Sequence, residues 1–236
     1  MKHEQNLPLE TKHLSTAQAN LSTVDKITDA MINTLCVNLV REKNVEQQQN
    51  TLRFSEVKTE DEWLKVISLR LKVYGEKNQY MLNELTSGTD EHESRSSVYA
   101  AWLNDIPIAT IRLTPYPFET MKYMEENKLV QFLGNDYRDN YLEWSRLLVD
   151  PDIKIIRIMP ALVVYAGIKA ITNSPYKKYF GFTKPIVRKL MRKFCIASDT
   201  LEFSIPARDN NKYLLLKGDF SHDFWRLVEK GFSFAA

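Results

Sequence analysis

The chain has 236 residues, 44% hydrophobic and 26% charged, which is enough apolar content for one packed domain plus an N-terminal extension. A formal net charge of +2 gives no bulk reason to bind nucleic acid or a membrane surface. The two cysteines, Cys36 and Cys195, are too far apart for a disulfide framework or a metal-ligand spacing, and seven glycines with no GxGxxG or Walker-type loop argue against a phosphate cradle. No segment approaches the roughly 18 consecutive apolar residues of a membrane-spanning helix. The start, Met1-Lys2-His3-Glu4, leads into no apolar run of a signal peptide, so a reducing cytoplasm is expected.

Residues 1 to 50 read as an extension with one helix. Ser22-Thr23-Val24-Asp25 offers a cap, and Ile27, Met31, Ile32, Leu35 and Leu39 recur at a helical period over about 24–41. That helix is suited to covering a tunnel, packing on the core or pairing subunits. Residues 51 to 236 read as the compact domain. Leu52 to Val57 predicts a strand. Thr59 with Glu62 three positions on forms a capping box that opens a helix bearing Trp63, Leu64, Ile67, Leu71 and Tyr74. A polar loop over 83–97 follows. Val98 to Leu103 and Ile106 to Leu113 predict a β-hairpin about Asn104-Asp105, ended by Pro115 and Pro117.

Met121 to Leu133 predicts a helix or lid, Tyr141 to Val149 a strand, Lys154 to Thr172 a helix carrying Pro160, and Tyr176 to Thr183 a strand. Pro185 to Phe194 predicts a basic helix, Leu201 to Ile205 and Lys212 to Lys217 two strands, and Phe220 to Lys230 a final helix. Strands and helices alternate around a hairpin, which gives an α/β class with a mixed central sheet flanked by helices.

The stretch Glu143-Trp144-Ser145-Arg146-Leu147-Leu148-Val149-Asp150-Pro151 is the most informative. Charged groups inside a central strand are costly unless paired or used. Glu143 and Arg146 therefore form either a structural ion pair or a polar cleft, and a second strand ending on Arg112 favours the cleft. None of His3, His13, His92 and His222 lies near these residues, so a Ser/His or Cys/His nucleophile has no support.

Leu69-Arg70-Leu71-Lys72-Val73-Tyr74 on the first core helix, Ile111-Arg112-Leu113 at the hairpin end and Glu143-Trp144-Ser145-Arg146 form an ordered set. Over residues 52 to 205 this set resembles the acyl-homoserine-lactone (autoinducer) synthases, and still more their relatives the N-acyl amino acid synthases, within the GNAT-like acyltransferases. The resemblance implies a GNAT-like fold and transfer of a fatty acyl group from an acyl carrier protein thioester to the amine of an amino acid. The phosphopantetheine arm of the carrier protein, or of coenzyme A, would supply the donor. No permanently bound cofactor or metal is implied.

The resemblance makes Glu143 the general base. It makes Arg112 and Arg146 the groups that fix the acceptor carboxylate or order Glu143 and Asp90. Arg70, Tyr74, Tyr80, Asp90, Trp144 and Ser145 would shape the acceptor and acyl side, with Tyr80 standing where the lactone synthases carry Trp. Leu148, Val149, Lys154 and Arg157 would hold the donor.

Two departures bear on substrates. The family's D-x-x-D loop is reduced to Ser87 and Asp90, which disfavours S-adenosylmethionine as acceptor. The GNAT glycine loop is replaced by Pro151-Asp152-Ile153-Lys154-Ile155-Ile156-Arg157, which disfavours a tight coenzyme A pyrophosphate site. Lys184, Arg188, Lys189 and Arg192 make either a solvated face or a docking patch for an acidic carrier-protein helix. The rival expectations are a lactone synthase using S-adenosylmethionine, a non-catalytic module that binds acyl groups or acyl carrier protein, and an acetyl-CoA-dependent GNAT.

Overall fold

The computed structural model describes residues 29–40, 51–77, 79–85, 87–155, 157–193, 199–208 and 210–223. The expected helix start near residue 24, Cys195 and the final helix beyond residue 223 lie outside the described residues. In chain order the elements are α1 (29–40), β1 (Leu52–Glu56), α2 (Glu60–Lys77), α3 (Gln79–Asn83), β2 (Ser97–Leu103) and β3 (Ile106–Thr114). There follow α4 (Glu126–Leu133), α5 (Tyr137–Asn140), β4 (Tyr141–Val149), α6 (Ile158–Asn173), β5 (Lys178–Thr183), α7 (Pro185–Lys193), β6 (Asp199–Ile205) and β7 (Asn211–Asp219). The seven strands form one sheet in the order β1-β2-β3-β4-β5-β7-β6. All neighbours run antiparallel except β4 and β5, which are parallel and joined by α6 as a crossover.

Local chemistry sets the frame. The capping box forms at α2: the Glu62 N–H donates to Thr59 Oγ1 at 3.2 Å, and Glu62 Oε2 accepts the Thr59 N–H at 3.3 Å. The Asn104-Asp105 turn has φ of 51° and 61°, the left-handed pair that a two-residue hairpin matching the sheet twist requires. On β3, alternation sends Ile111 and Leu113 into the apolar core with α6, and Arg112 to the opposite face, where α2 brings Arg70. Ile32, Cys36 and Val40 of α1 join that core beside Tyr165 and Phe54, and Asn33 Oδ1 accepts the Phe54 N–H at 2.7 Å. Of the three uses expected for the N-terminal helix, core packing is the one observed.

Several boundaries differ from expectation. The segment expected as one helix or lid from Met121 is a 3-10 turn, Glu119–Lys122, followed by α4. The helix after β4 begins at Ile158, not Lys154, because Arg157 takes a left-handed φ of 70°. Pro160 then falls in the first turn, where its missing N–H costs nothing. β5 starts at Lys178 rather than Tyr176.

Two irregularities build the site. The β3–β4 register runs Arg112↔Ser145 and then Thr110↔Leu148, so Arg146 and Leu147 together oppose Ile111. Arg146 sits in this bulge with φ 51°. Regular alternation would send Arg146 to the face opposite Ser145; the bulge keeps both with Arg112. Secondly, β4 and β5 pair only from Tyr141↔Lys178 to Trp144↔Gly181, and the strands part beyond that point.

Candidate active site

The parting of β4 and β5 opens a cleft of about 370 Å³, the scale of a small-molecule site. Ser145 to Val149 line one wall, Phe182, Thr183 and Lys184 the other, and Tyr74, Tyr80, Glu119, Arg208 and Tyr213 also face it. Among the described residues the β5-facing edge of Ser145–Val149 has no ladder partner, so the wall presents backbone groups. Gly181 allows the strands to approach just before they part: a Cβ there would lie 2.6 Å from the Trp144 carbonyl oxygen. Trp144 also borders the cleft, while its ring packs in the core and stacks on Tyr179 with ring centroids 4.1 Å apart.

Behind one end of the cleft lies a buried charge cluster. Arg112 is fully buried and donates from Nη1 to Asp90 Oδ1 at 2.6 Å and Glu93 Oε1 at 2.9 Å, from Nη2 to Glu119 Oε2 at 2.5 Å, and from Nε to Ser145 Oγ at 2.9 Å. Arg146 Nη2 donates to Asp90 Oδ2 at 2.5 Å and lies 3.0 Å from Glu119 Oε1. Arg70 Nη1 donates to Glu93 Oε1 at 2.6 Å. Burial raises the Asp90 carboxyl, but Arg112 and Arg146 outweigh it and hold the group well below the usual carboxylate range. Burial pushes the Tyr74 hydroxyl upward, only partly opposed by the nearby Arg146.

Glu143 occupies a different position from the one its sequence context implies. It is fully buried, is not among the cleft-lining residues and does not pair with Arg146. Its carboxylate caps the 3-10 turn: Oε2 accepts the Glu119 N–H at 2.5 Å, and Oε1 accepts the Thr120 N–H at 2.9 Å and the Thr120 hydroxyl. Burial and the neighbouring Glu119 charge push its pKa up to about 7, against the Thr120 hydroxyl and Glu119 N–H bonds.

Arg112, Arg146, Asp90, Arg70, Tyr74 and Ser145 thus come together around one end of the cleft. Tyr80, Leu148 and Val149 line it further along. Lys154 and Arg157 lie in the connection between β4 and α6 and are not cleft-lining. Lys189 on α7 is exposed, and Lys184, the residue before α7, lines the cleft with Nζ 5.5 Å from the Tyr80 ring centroid. Arg188 is 8% exposed, so it turns inward rather than joining a surface patch. The Arg192 side chain lies outside the described residues.

Sequence reading missed Glu119 and Arg208. Arg208, buried beside the cleft, donates to both oxygens of Glu84 at 2.8 and 2.5 Å and to the Tyr123 hydroxyl at 2.8 Å. The rings of Tyr80, Tyr123, Phe182 and Tyr213 surround its guanidinium at 4.6 to 5.7 Å. Neither residue lies in a periodic pattern; the only signal for Glu119 is a charge directly after Pro117-Phe118. Among the described residues no cluster of His, Cys, Asp and Glu could hold a metal, and no helix is long and apolar enough to cross a membrane.

The strand order, the single parallel pair and the parting of β4 from β5 define a GNAT-like fold. The chain is similar in structure to BjaI, a CoA-dependent acyl-homoserine lactone synthase, with a TM-score of 0.60 and 14% identity over 73% of this chain and 82% of that one. It is similar to FeeM, an N-acyl amino acid synthase from uncultured soil microbes, with a TM-score of 0.54 and 8% identity over 74% of this chain and 93% of that one. A putative N-acetyltransferase from Lactobacillus plantarum gives 0.50 and 12% over 73% and 99%. At such identities the likeness is one of fold. No protein-family model and no curated protein sequence matches the chain.

Proposed function

We propose that the protein transfers an acyl group from a phosphopantetheine thioester to the amine of an amino acid. The observation that carries this reading is the cleft between β4 and β5, with an unpaired strand edge along one wall and a buried cluster of arginines and carboxylates at its end. A thioester arm lies along Ser145–Val149 as an added strand, its amide groups meeting the exposed backbone edge. Backbone N–H groups near the Arg146 bulge face the thioester carbonyl and stabilise the developing oxyanion. The amine attacks directly, so no covalent enzyme intermediate is required.

Acceptor binding falls to Arg146. Among the described residues its Nε and Nη1 are buried without a hydrogen-bond partner of good geometry, with the Tyr74 hydroxyl as a neighbour, although Nη2 is doubly engaged. Leaving such donors unsatisfied is costly, and an acceptor carboxylate removes that cost. Arg112 and Arg70 hold Asp90, Glu93 and Glu119 around it. The preferred donor is an acyl carrier protein, because the connection between β4 and α6 lacks the glycine run that would cradle a coenzyme pyrophosphate. Lys184 at the cleft and the exposed Lys189 supply positive charge for its acidic helix. The test is mass spectrometry of lipid extracts from cells overproducing the protein. An N-acylated amino acid absent from control cells is expected; extracts identical to controls count against the reading.

A further inference from the structure

We infer that Glu119, not Glu143, is the carboxylate that receives the acceptor amine, and that Glu119 and Arg146 together read an α-amino acid as a zwitterion. This rests on the acyl-transfer reading above and specifies who handles the proton. Glu119 is the one acid among the described cleft-lining residues. Glu143 stands behind it, with both oxygens committed to the backbone N–H groups of Glu119 and Thr120 and to the Thr120 hydroxyl.

Glu119 is held at both ends. Its N–H is fixed by Glu143 and its Oε2 by Arg112 Nη2 at 2.5 Å, while Oε1 lies 3.0 Å from Arg146 Nη2. Among the described residues, Arg146 still has two unpartnered donors, Nε and Nη1. A carboxylate and a guanidinium side by side on one cleft wall complement an ammonium and a carboxylate on one small molecule. An amine without a carboxylate would engage only half of this pair. Such rigid support from an outer layer of residues is what keeps reacting groups in attack geometry.

The proton balance closes without a co-reactant. The amino acid enters as an ammonium and gives one proton to Glu119. The neutral nitrogen attacks the thioester carbonyl, the C–N bond forms and the C–S bond breaks. The second nitrogen proton leaves with the thiolate sulfur, giving amide and thiol, and Glu119 returns its proton to solvent.

The test uses the full chain with decanoyl-CoA or decanoyl carrier protein, a panel of amino acids, and the decarboxylated amine of the best acceptor. Thiol release and product mass are read together. Glu119→Gln is expected to lower kcat/KM for the acceptor by about 100-fold or more while the donor KM stays within about threefold. Glu119→Asp is expected to recover part of the loss, and the decarboxylated amine to be a poor acceptor for the wild type. Should Glu119→Gln fail to fold, Glu119→Asp carries the same test, with kcat reduced and donor KM retained. Wild-type kcat/KM in either variant, or equal use of the decarboxylated amine, overturns the inference and leaves acyl transfer standing. A wild type that releases thiol with no amine at all removes both.

Discussion

The backbone N–H of Glu119 donates to Oε2 of Glu143 at 2.5 Å, so that one carboxylate fixes the residue that carries the other. Glu143 lies on β4 and Glu119 in the 3-10 turn after β3. Two negative groups this close in a buried place cannot both be comfortably ionised. Arg112 and Arg146 reach Glu119 but not Glu143, which leaves Glu143 as the member that gives way.

This relationship makes stability depend on pH. The Glu143 pKa is raised in the folded protein to about 7, from an ordinary 4.5. The folded state therefore holds a proton that the unfolded state has already lost. The associated stability is fully present below pH 4.5 and is lost as pH rises through about 7. Urea unfolding at pH 5 and pH 7.5 is expected to show this fall for the wild type and a much flatter response for Glu143→Gln. Parallel responses would mean that Glu143 does not titrate in this range.

Asp90 carries the opposite linkage and a larger structural role. It joins Arg112 and Arg146, at 2.6 and 2.5 Å, and both guanidiniums are buried. Asp90→Asn is expected to destabilise by about 3–5 kcal/mol, the usual cost of stranding a buried charge. Because the Asp90 carboxyl is held low, the stability it supplies is present above pH 4 and disappears as pH falls below its ordinary range of 3.8. Chemical denaturation of the variant checks the first statement, and its pH series the second.

Gly181 tests the junction where the strands part. A methyl group there meets the Trp144 backbone carbonyl at 2.6 Å, and backbone cannot rotate aside as a side chain can. Gly181→Ala is expected to cost about 1–3 kcal/mol and to spread β4 from β5 before the natural opening. A thermal melt indistinguishable from wild type would show that the pairing at Trp144 is looser than described.

The elements read most easily from sequence were those with strong local grammar. The Thr59–Glu62 box, the Asn104-Asp105 turn and the strand stopped by Asp150-Pro151 all lie where residue chemistry places them. Arg112 and Arg146 stand out in the sequence because charge in a strand needs a reason, whereas Asp90, in a loop, is singled out only by the family resemblance. Their partners were not. Glu119 sits in a 3-10 turn without periodicity, and only tertiary packing brings it to the cleft. The left-handed Arg157 shortened the helix expected from Lys154, since one residue's φ leaves no mark on hydrophobic spacing. Arg188 looks like surface within a basic run, but it is buried.

The most direct measurement is thiol release from decanoyl carrier protein by the purified protein, with and without amino acids, coupled to mass analysis of the product. Thiol release that depends on the amino acid is expected, together with an equal amount of N-decanoyl amino acid. No thiol release with any amine, or release without an acylated amine, would contradict it.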